Sequence, residues 1–332
     1  MTTRVAVDAM GGDRAPIEIV AGAAAAASPE IQPVLYGSSD LETGGMPFVQ
    51  TADVIGMDDH PVESVRAKPD SSLVAAVRSV AAGEADAVVS AGSTGAMLAA
   101  SLLHIRRLPG VRRPAIAVVI PARRGPTVLI DAGANADARP EDLVQFAHMG
   151  TVFAHEILGV GDPLVRLLSI GEENEKGNQL TLDAHALLRT SSLRFGGNTE
   201  SRSLLEGDSD VIVTDGFTGN IALKTLEGTI RSVLDVLREE VSLSTRGRIG
   251  GLLIRPSARR IRKTFDPETY GGAYLLGLRG LVVIAHGSSS RVAIANAIRL
   301  AARGVEHAVV ERVEERLGVL ASARSTTPTA ER

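Results

Sequence analysis

The chain has 332 residues with 35 basic and 39 acidic side chains, a formal net charge of −4, aromatic residues at 3% and no tryptophan. That balance excludes a general nucleic-acid binder, which needs a basic surface or a platform of stacking aromatics. Cysteine is absent, which rules out disulfides, thiolate metal sites and a cysteinyl acyl-enzyme, and is compatible with a cytoplasmic setting. The length suits one large α/β domain or two smaller ones. Only four of the basic residues are lysines, so a single arginine says little and a single lysine says more. The first residues, MTTRVAVDAMGGD, lack the apolar run of a signal peptide. No uninterrupted apolar stretch reaches the roughly 18 residues that a membrane helix needs, so a soluble chain is expected.

In chain order, residues 4–9 (RVAVDA) predict a strand that ends in Asp8-Ala9-Met10-Gly11-Gly12-Asp13, with Pro16 opening a helix over 17–27. Asp8 stands at a strand end, where α/β proteins place ligands; Asp13 reads as a cap. Residues 33–37 and 52–57 predict further short strands. A helix over 71–82 leads to a strand at 85–90, then to Ala91-Gly92-Ser93-Thr94-Gly95 and a helix through Arg107. Residues 114–121 and 127–131 predict two strands joined as a hairpin, and Pro140 opens a long helix. A strand at 164–171 precedes the charged loop carrying Lys176, a helix follows to Leu188, and 193–197 runs into Asn198-Thr199-Glu200.

The most informative stretch is 211–228, VIVTDGFTGNIALKTLEG. A β-prone run enters Asp215-Gly216-Phe217-Thr218-Gly219-Asn220 and then an amphipathic helical pattern containing Lys224. Such a turn presents free N–H groups and the positive helix end to an anion; the plain alternative is a βα turn with Asn220 as cap. Gly92-Ser93-Thr94-Gly95 repeats its Gly-x-Thr-Gly pattern, which points to one shared ligand site. Beyond it, 245–265 (TRGRIGGLLIRPSARRIRKTF) holds six arginines, one lysine and no acid around Leu252-Leu253-Ile254. That pattern suits either an anionic membrane surface or an ordinary solvated helix. Tyr270-Gly271-Gly272-Ala273 reads as a tight turn, 281–285 as the last strand before His286, and a final helix runs to about Leu317. We expect a single α/β unit over 1–320 with 237–266 protruding, and a disordered tail over 321–332. Strands alternating with helices predict a three-layer, mostly parallel α/β sheet of Rossmann-like type. Neither the dinucleotide nor the P-loop glycine fingerprint follows any predicted strand.

Seven blocks, VAVDAMGGD, SAGSTGA, LIDAGANAD, EKGN, VIVTDGFTGNIALKTLEG, YGGA and AHGSS, fall in this order over residues 5–289. Together they closely resemble the bacterial phosphate acyltransferases of phospholipid synthesis, over roughly 4–318. The resemblance implies attack of inorganic phosphate on the thioester of a long-chain acyl-acyl carrier protein, with no cofactor or metal. It also implies a homodimer similar in fold to phosphotransacetylases and the isocitrate/isopropylmalate dehydrogenases. The enzyme would be cytoplasmic and peripherally associated with the membrane, passing acyl phosphate to a glycerol-3-phosphate acyltransferase.

Lys176 matches the lysine of the family's K-G-N block and is assigned to phosphate or transition-state charge. Asn220 is assigned as oxyanion donor. Asp8, Gly11, Gly12, Gly92, Ser93, Thr94, Gly95, Asn198, Asp215, Gly216, Thr218, Gly219 and His286 are assigned to substrate binding. Asp8 and Asp215 act there by orienting neighbours, since carboxylate and phosphate repel; Ser93 and the Gly197-Asn198-Thr199-Glu200 block depart from the family's usual Asn-Thr-Gly and Gly-Asn-Val-Glu and are held as pocket-shaping. Leu252, Leu253, Ile254, Arg255 and Arg259 are assigned to membrane or carrier-protein contact. The competing readings are a phosphotransacetylase acting on acyl-CoA, a nicotinamide-dependent dehydrogenase of the same fold group, and a non-catalytic scaffold.

Overall fold

The computed structural model describes residues 2–264 and 270–325. Strand β1 (Thr3–Asp8), helix α1 (Ile17–Ala26), strands β2 (Ile31–Gly37) and β3 (Phe48–Gln50), and helices α2 (Pro61–Ala67) and α3 (Ser72–Ala81) come first. They are followed by β4 (Ala87–Ser90), α4 (Thr94–His104), the hairpin of β5 (Ala115–Ile120) and β6 (Thr127–Ile130), and α5 (Pro140–Leu158). Next are β7 (Val165–Leu168), α6 (Gln179–Arg189), β8 (Phe195–Thr199), a 3-10 turn at Ser201–Leu205, β9 (Val211–Val213) and α7 (Gly216–Ser242). The chain closes with α8 (Thr245–Thr264), β10 (Ala273–Leu276), β11 (Leu281–Ile284), α9 (Arg291–Glu306) and α10 (Val309–Ser325).

All eleven strands form one sheet in the order β3-β2-β1-β4-β11-β10-β5-β6-β9-β7-β8. The pairings β11/β10, β10/β5 and β5/β6 are antiparallel; the others are parallel. Three reversals mean that β6, β9, β7 and β8 run opposite to β3, β2, β1, β4 and β11. The carboxyl ends of the two groups therefore open on opposite edges of the sheet, here called the first edge (β1, β4, β11) and the second edge (β6, β9, β7, β8).

Side chains alternate across the strands, as the pleat requires: Val5 and Val7 join the core beneath α1, α5, α6, α9 and α10, while Ala6 joins the core beneath α2, α3, α4 and the start of α7. The long central helix α5 is punctuated by its sequence. Pro140 occupies its first turn, the Asp142 carboxylate accepts from the Arg139 N–H (2.9 Å), and Gly159 ends it at φ 73°.

Four expectations change. The short strand lies at Phe48–Gln50, paired with β2, and not at 52–57, where Gly56 N–H is drawn to the Asp59 carboxylate (3.0 Å). The Tyr270–Ala273 turn feeds the additional strand β10, whose apolar side chains sit between β11 and β5. The final helix is broken at His307-Ala308, where Ala308 takes φ 50°. Finally, α10 extends to Ser325, into the segment expected as a tail; residues 326–332 lie outside those described.

The segment expected to protrude is a helical hairpin. α7 buries only Gly216 and Gly219, and α8 folds back on it where Gly247 and Gly251, one turn apart, leave no room for a Cβ beside Val241. Residues 265–266 of this segment lie outside those described.

Candidate active site

The second edge is organised by Asp131, which directly follows β6 and is fully buried. Its Oδ1 accepts from the N–H groups of Ile116 (3.0 Å), Gly133 (3.1 Å) and Ala134 (2.9 Å). Its Oδ2 accepts from the N–H and the side-chain amide of Asn135 (both 2.8 Å). Burial nevertheless pushes the Asp131 carboxyl above its ordinary value, the hydrogen bonds opposing that shift. Asn135 extends the hub: its amide also donates to the Pro114 carbonyl (2.7 Å), and its own carbonyl accepts from Gly216 N–H (2.8 Å) at the start of α7. A Cβ on Gly219 would collide with the Asp131 carbonyl, and one on Gly216 would lie 2.7 Å from Asn135 and Asp131. These glycines let α7 begin hard against the hub.

The start of α7 differs from the expected cradle. Asp215, not Asn220, is the N-cap: its carboxylate accepts from Thr218 N–H (2.9 Å) and Thr218 Oγ1 (2.7 Å). Gly219 N–H bonds to the Asp215 carbonyl (2.9 Å). The Thr218 and Gly219 N–H groups are therefore committed to Asp215, whose carboxylate occupies the cap. Asn220 is half-buried, beside Gly133, and its amide makes no hydrogen bond to another described residue. Lys224 is exposed one turn further on.

Lys176 reaches the same edge on the loop that follows β7, adjacent to β9. The loop is fastened at its base. Asn198, at the end of β8, donates from Nδ2 to the carbonyls of Glu173 (2.8 Å) and Lys176 (3.4 Å), and Ser169 Oγ donates to the Lys176 carbonyl (2.9 Å). Asn198 Oδ1 accepts from Nδ1 of the buried His185 (3.0 Å), whose ring meets Phe195 edge-on. The Asn198 amide is thereby used within the fold, where it fastens the loop. The Lys176 side chain is exposed and makes no ion pair among the described residues.

The first edge gathers Asp8, Gly11, Gly12, Gly92, Ser93, Thr94, Gly95 and His286. Asp8 is buried, and burial raises its carboxyl above the usual value. Ser90 Oγ donates to it (2.7 Å) while accepting from Gly92 N–H (3.0 Å). Gly11 packs on Asp8 and the Gly92 backbone, and Gly12, at φ 108°, packs on Ala91 and the Gly287 carbonyl. Ser93 caps α4 by accepting from Ala96 N–H (3.4 Å). Thr94 lies exposed on its first turn, and Gly95 packs on Pro61. His286 is exposed, with Nδ1 2.9 Å from Ser288 Oγ. No hydrogen bond or ion pair among the described residues joins this set to the second edge. The two Gly-x-Thr-Gly turns thus open on opposite edges, because the three antiparallel pairings between them reverse the strand direction.

Leu252, Leu253, Ile254 and Arg255 are exposed on α8, Leu253 by 77%. Arg259 lies on the same helix, with its side chain outside the described set. A groove of about 420 Å³ lined by Arg238, Arg248, Arg255 and Leu252 separates α7 from α8. None of the described helices is long and apolar enough to cross a membrane. Among the described residues no cluster of three or more His, Asp or Glu side chains is placed to hold a metal ion. Sequence reading did not single out Asp131, Asn135 or His185. The signal for the first two was present: an aspartate closing a strand with an asparagine four residues on, across Ala-Gly-Ala, is the composition of a turn folded around a carboxylate.

The fold is an α/β architecture that solved structures share: a branched-chain phosphotransacylase from Enterococcus faecalis superposes with a TM-score of 0.61 at 17% identity, covering 92% of this chain and 100% of that one. A family model described as fatty acid synthesis protein matches residues 3–312. A phosphate acyltransferase from Heliobacterium modesticaldum is 44% identical over 326 residues, 95% of this chain and 97% of its own. Another, from Desulfitobacterium hafniense, is 46% identical over 325 residues, with the same coverage. The chain belongs to the phosphate acyltransferase family, and it is an acyltransferase of lipid biosynthesis.

Proposed function

We propose that the enzyme transfers a long-chain acyl group from acyl-acyl carrier protein to inorganic phosphate, and that the bond changes take place at the second edge. The observation that carries this reading is that Lys176 and Asn220, the one an exposed cation without an ion pair and the other an amide without a hydrogen bond among the described residues, follow the adjacent strands β7 and β9 at one sheet edge. A phosphate oxygen attacks the thioester carbonyl carbon, giving a tetrahedral oxyanion. The C–S bond then breaks, and the carrier leaves as thiolate and takes a proton from solvent. Lys176 holds the phosphate dianion against the carbonyl, and the Asn220 amide donates to the oxyanion. Placed donors of this kind contribute about 10²–10³-fold each. Without cysteine, phosphate itself is the economical nucleophile.

The fixed turns of the first edge, with Thr94, Gly95 and His286 outermost, are assigned to the thioester donor. Asp8 and Asp215 hold backbone there and at α7. The α7/α8 hairpin is assigned to the membrane surface: Leu252, Leu253 and Ile254 enter the interface while Arg255 and its neighbours meet anionic headgroups. A cytoplasmic homodimer that hands acyl phosphate to a membrane-bound glycerol-3-phosphate acyltransferase completes the proposal. The test incubates the protein with phosphate and palmitoyl-carrier protein and traps acyl phosphate as hydroxamate. Hydroxamate formation supports the reading; product from acyl-CoA alone transfers the assignment to a phosphotransacetylase, and carrier binding without product makes the protein a scaffold. For the hairpin, Leu253→Glu is expected to lose flotation with anionic vesicles, and unchanged flotation removes the membrane role.

A further inference from the structure

We propose that a shelf of four arginines, Arg106, Arg107, Arg113 and Arg279, is the docking surface for the acidic carrier protein that delivers the acyl thioester. The inference deepens the functional reading above and rests on it. Two loops build the shelf, residues 105–114 between α4 and β5 and residues 277–280 between β10 and β11. They are knitted together: Leu108 N–H donates to the Gly277 carbonyl (3.0 Å), Arg279 N–H to the Arg106 carbonyl (3.0 Å), and Arg279 Nε to the Arg107 carbonyl (3.1 Å). The Arg107 guanidinium donates to the Arg112 carbonyl within the first loop.

The charge on this shelf is uncompensated. Arg112, in the same loop, is neutralised by Glu141 (3.3 Å) and Asp142 (2.9 Å). Arg106, Arg107, Arg113 and Arg279 are exposed and form no ion pair among the described residues. Four unpaired cations, two of them held by hydrogen bonds to backbone carbonyls, in a protein of net charge −4 are a local field of the sign that steers and orients an acidic partner. The nearby Arg78 is ion-paired with Asp70 (3.8 Å); burial and then the Arg78 charge hold the His104 imidazole below its ordinary value. Leu102 and Leu103, exposed on the last turn of α4, offer apolar contact beside the charges.

Position ties the shelf to the chemistry. β10 ends and β5 begins on the edge where β6 and β9 end. The Pro114 carbonyl, one residue after Arg113, accepts from the Asn135 amide (2.7 Å), and Gly133 of the same turn lies beside Asn220. With strands spaced about 4.8 Å, β5 and β9 are roughly 10 Å apart, within reach of a flexible prosthetic arm. A carrier seated on the shelf places its thioester at Lys176 and Asn220 and leaves α8 to the membrane.

The test titrates palmitoyl-carrier protein into the full-length enzyme and into Arg106→Glu and Arg113→Glu, two side chains that no described residue uses as a hydrogen-bond donor. Both variants are expected to weaken carrier binding about ten-fold or more and to flatten its salt dependence, with melting temperature and KM for phosphate unchanged. Arg189→Glu, on α6, is expected to bind as the parent does. Unchanged carrier affinity in both shelf variants overturns the docking assignment, as does a parent that binds no carrier. A parent that binds carrier through the shelf but forms no acyl phosphate upholds the docking surface and overturns the functional reading.

Discussion

The two edges of the sheet begin from the same recipe and end differently. Each has a buried aspartate at a strand end, Asp8 and Asp131, and each continues into a Gly-x-Thr-Gly helix start. At the first edge, the β1, β4 and β11 turns lock onto one another: Ser90 bridges Asp8 to Gly92, and Gly12 fills the gap between Ala91 and Gly287. At the second edge, Asp131 absorbs five N–H donors and holds the start of α7, while Lys176 and Asn220 stand outside that network. Identical motif chemistry therefore yields a fastened turn or a rim with uncommitted polar side chains, according to what the framework holds.

The contrast breaks most visibly at Lys176 and Asn220. Lys176→Ala and Asn220→Ala are each expected to lower kcat by about 10²–10³-fold with the melting curve unchanged, read by hydroxamate trapping and calorimetry side by side. Framework changes should show the converse. Asp131→Ala orphans buried amides and is expected to cost about 3–5 kcal/mol or to abolish soluble protein. Gly12→Ala, with φ 108° and backbone 3.1 Å from the new Cβ, should cost about 1–3 kcal/mol in urea unfolding.

A finer cut separates the Lys176 loop from the body of the protein. Asn198→Ala removes the amide that holds the Glu173 and Lys176 carbonyls. Trypsin should then cleave after Lys176 several-fold faster while other sites keep their parental rates; uniform acceleration would mean general destabilisation instead. The smallest effect concerns Glu18, in the first turn of α1 and away from the second edge. Its carboxyl is held down to about 2 by the Arg291 side chain and N–H. Because the folded value lies below the ordinary 4.5, its contribution is present at neutral pH and fades as pH falls from about 4.5 toward 2. Glu18→Gln should accordingly lower Tm at pH 7, with the difference closing in acid.

Much of this was legible in the residues. The strand–glycine–helix units, the hairpin at 114–131 and the helix opening at Pro140 follow from local chemistry, and the seven ordered blocks named the family. The sheet direction did not follow, because β10, hidden in YGGAYLLG, supplies two of the three antiparallel pairings that turn the second half around. Without it the two Gly-x-Thr-Gly turns look convergent. Which groups Asn198 holds was also hidden, since whether a polar side chain clamps backbone or faces solvent is decided by tertiary neighbours such as His185.

The claim that phosphate is held at the second edge is tested most directly by anomalous diffraction from crystals soaked in arsenate, a phosphate mimic with a strong scatterer. The expected peak lies within hydrogen-bond reach of Lys176 Nζ and the Asn220 amide, and it disappears in Lys176→Ala. A peak at the Thr94–Gly95 amides of α4, unaffected by that substitution, would contradict the account.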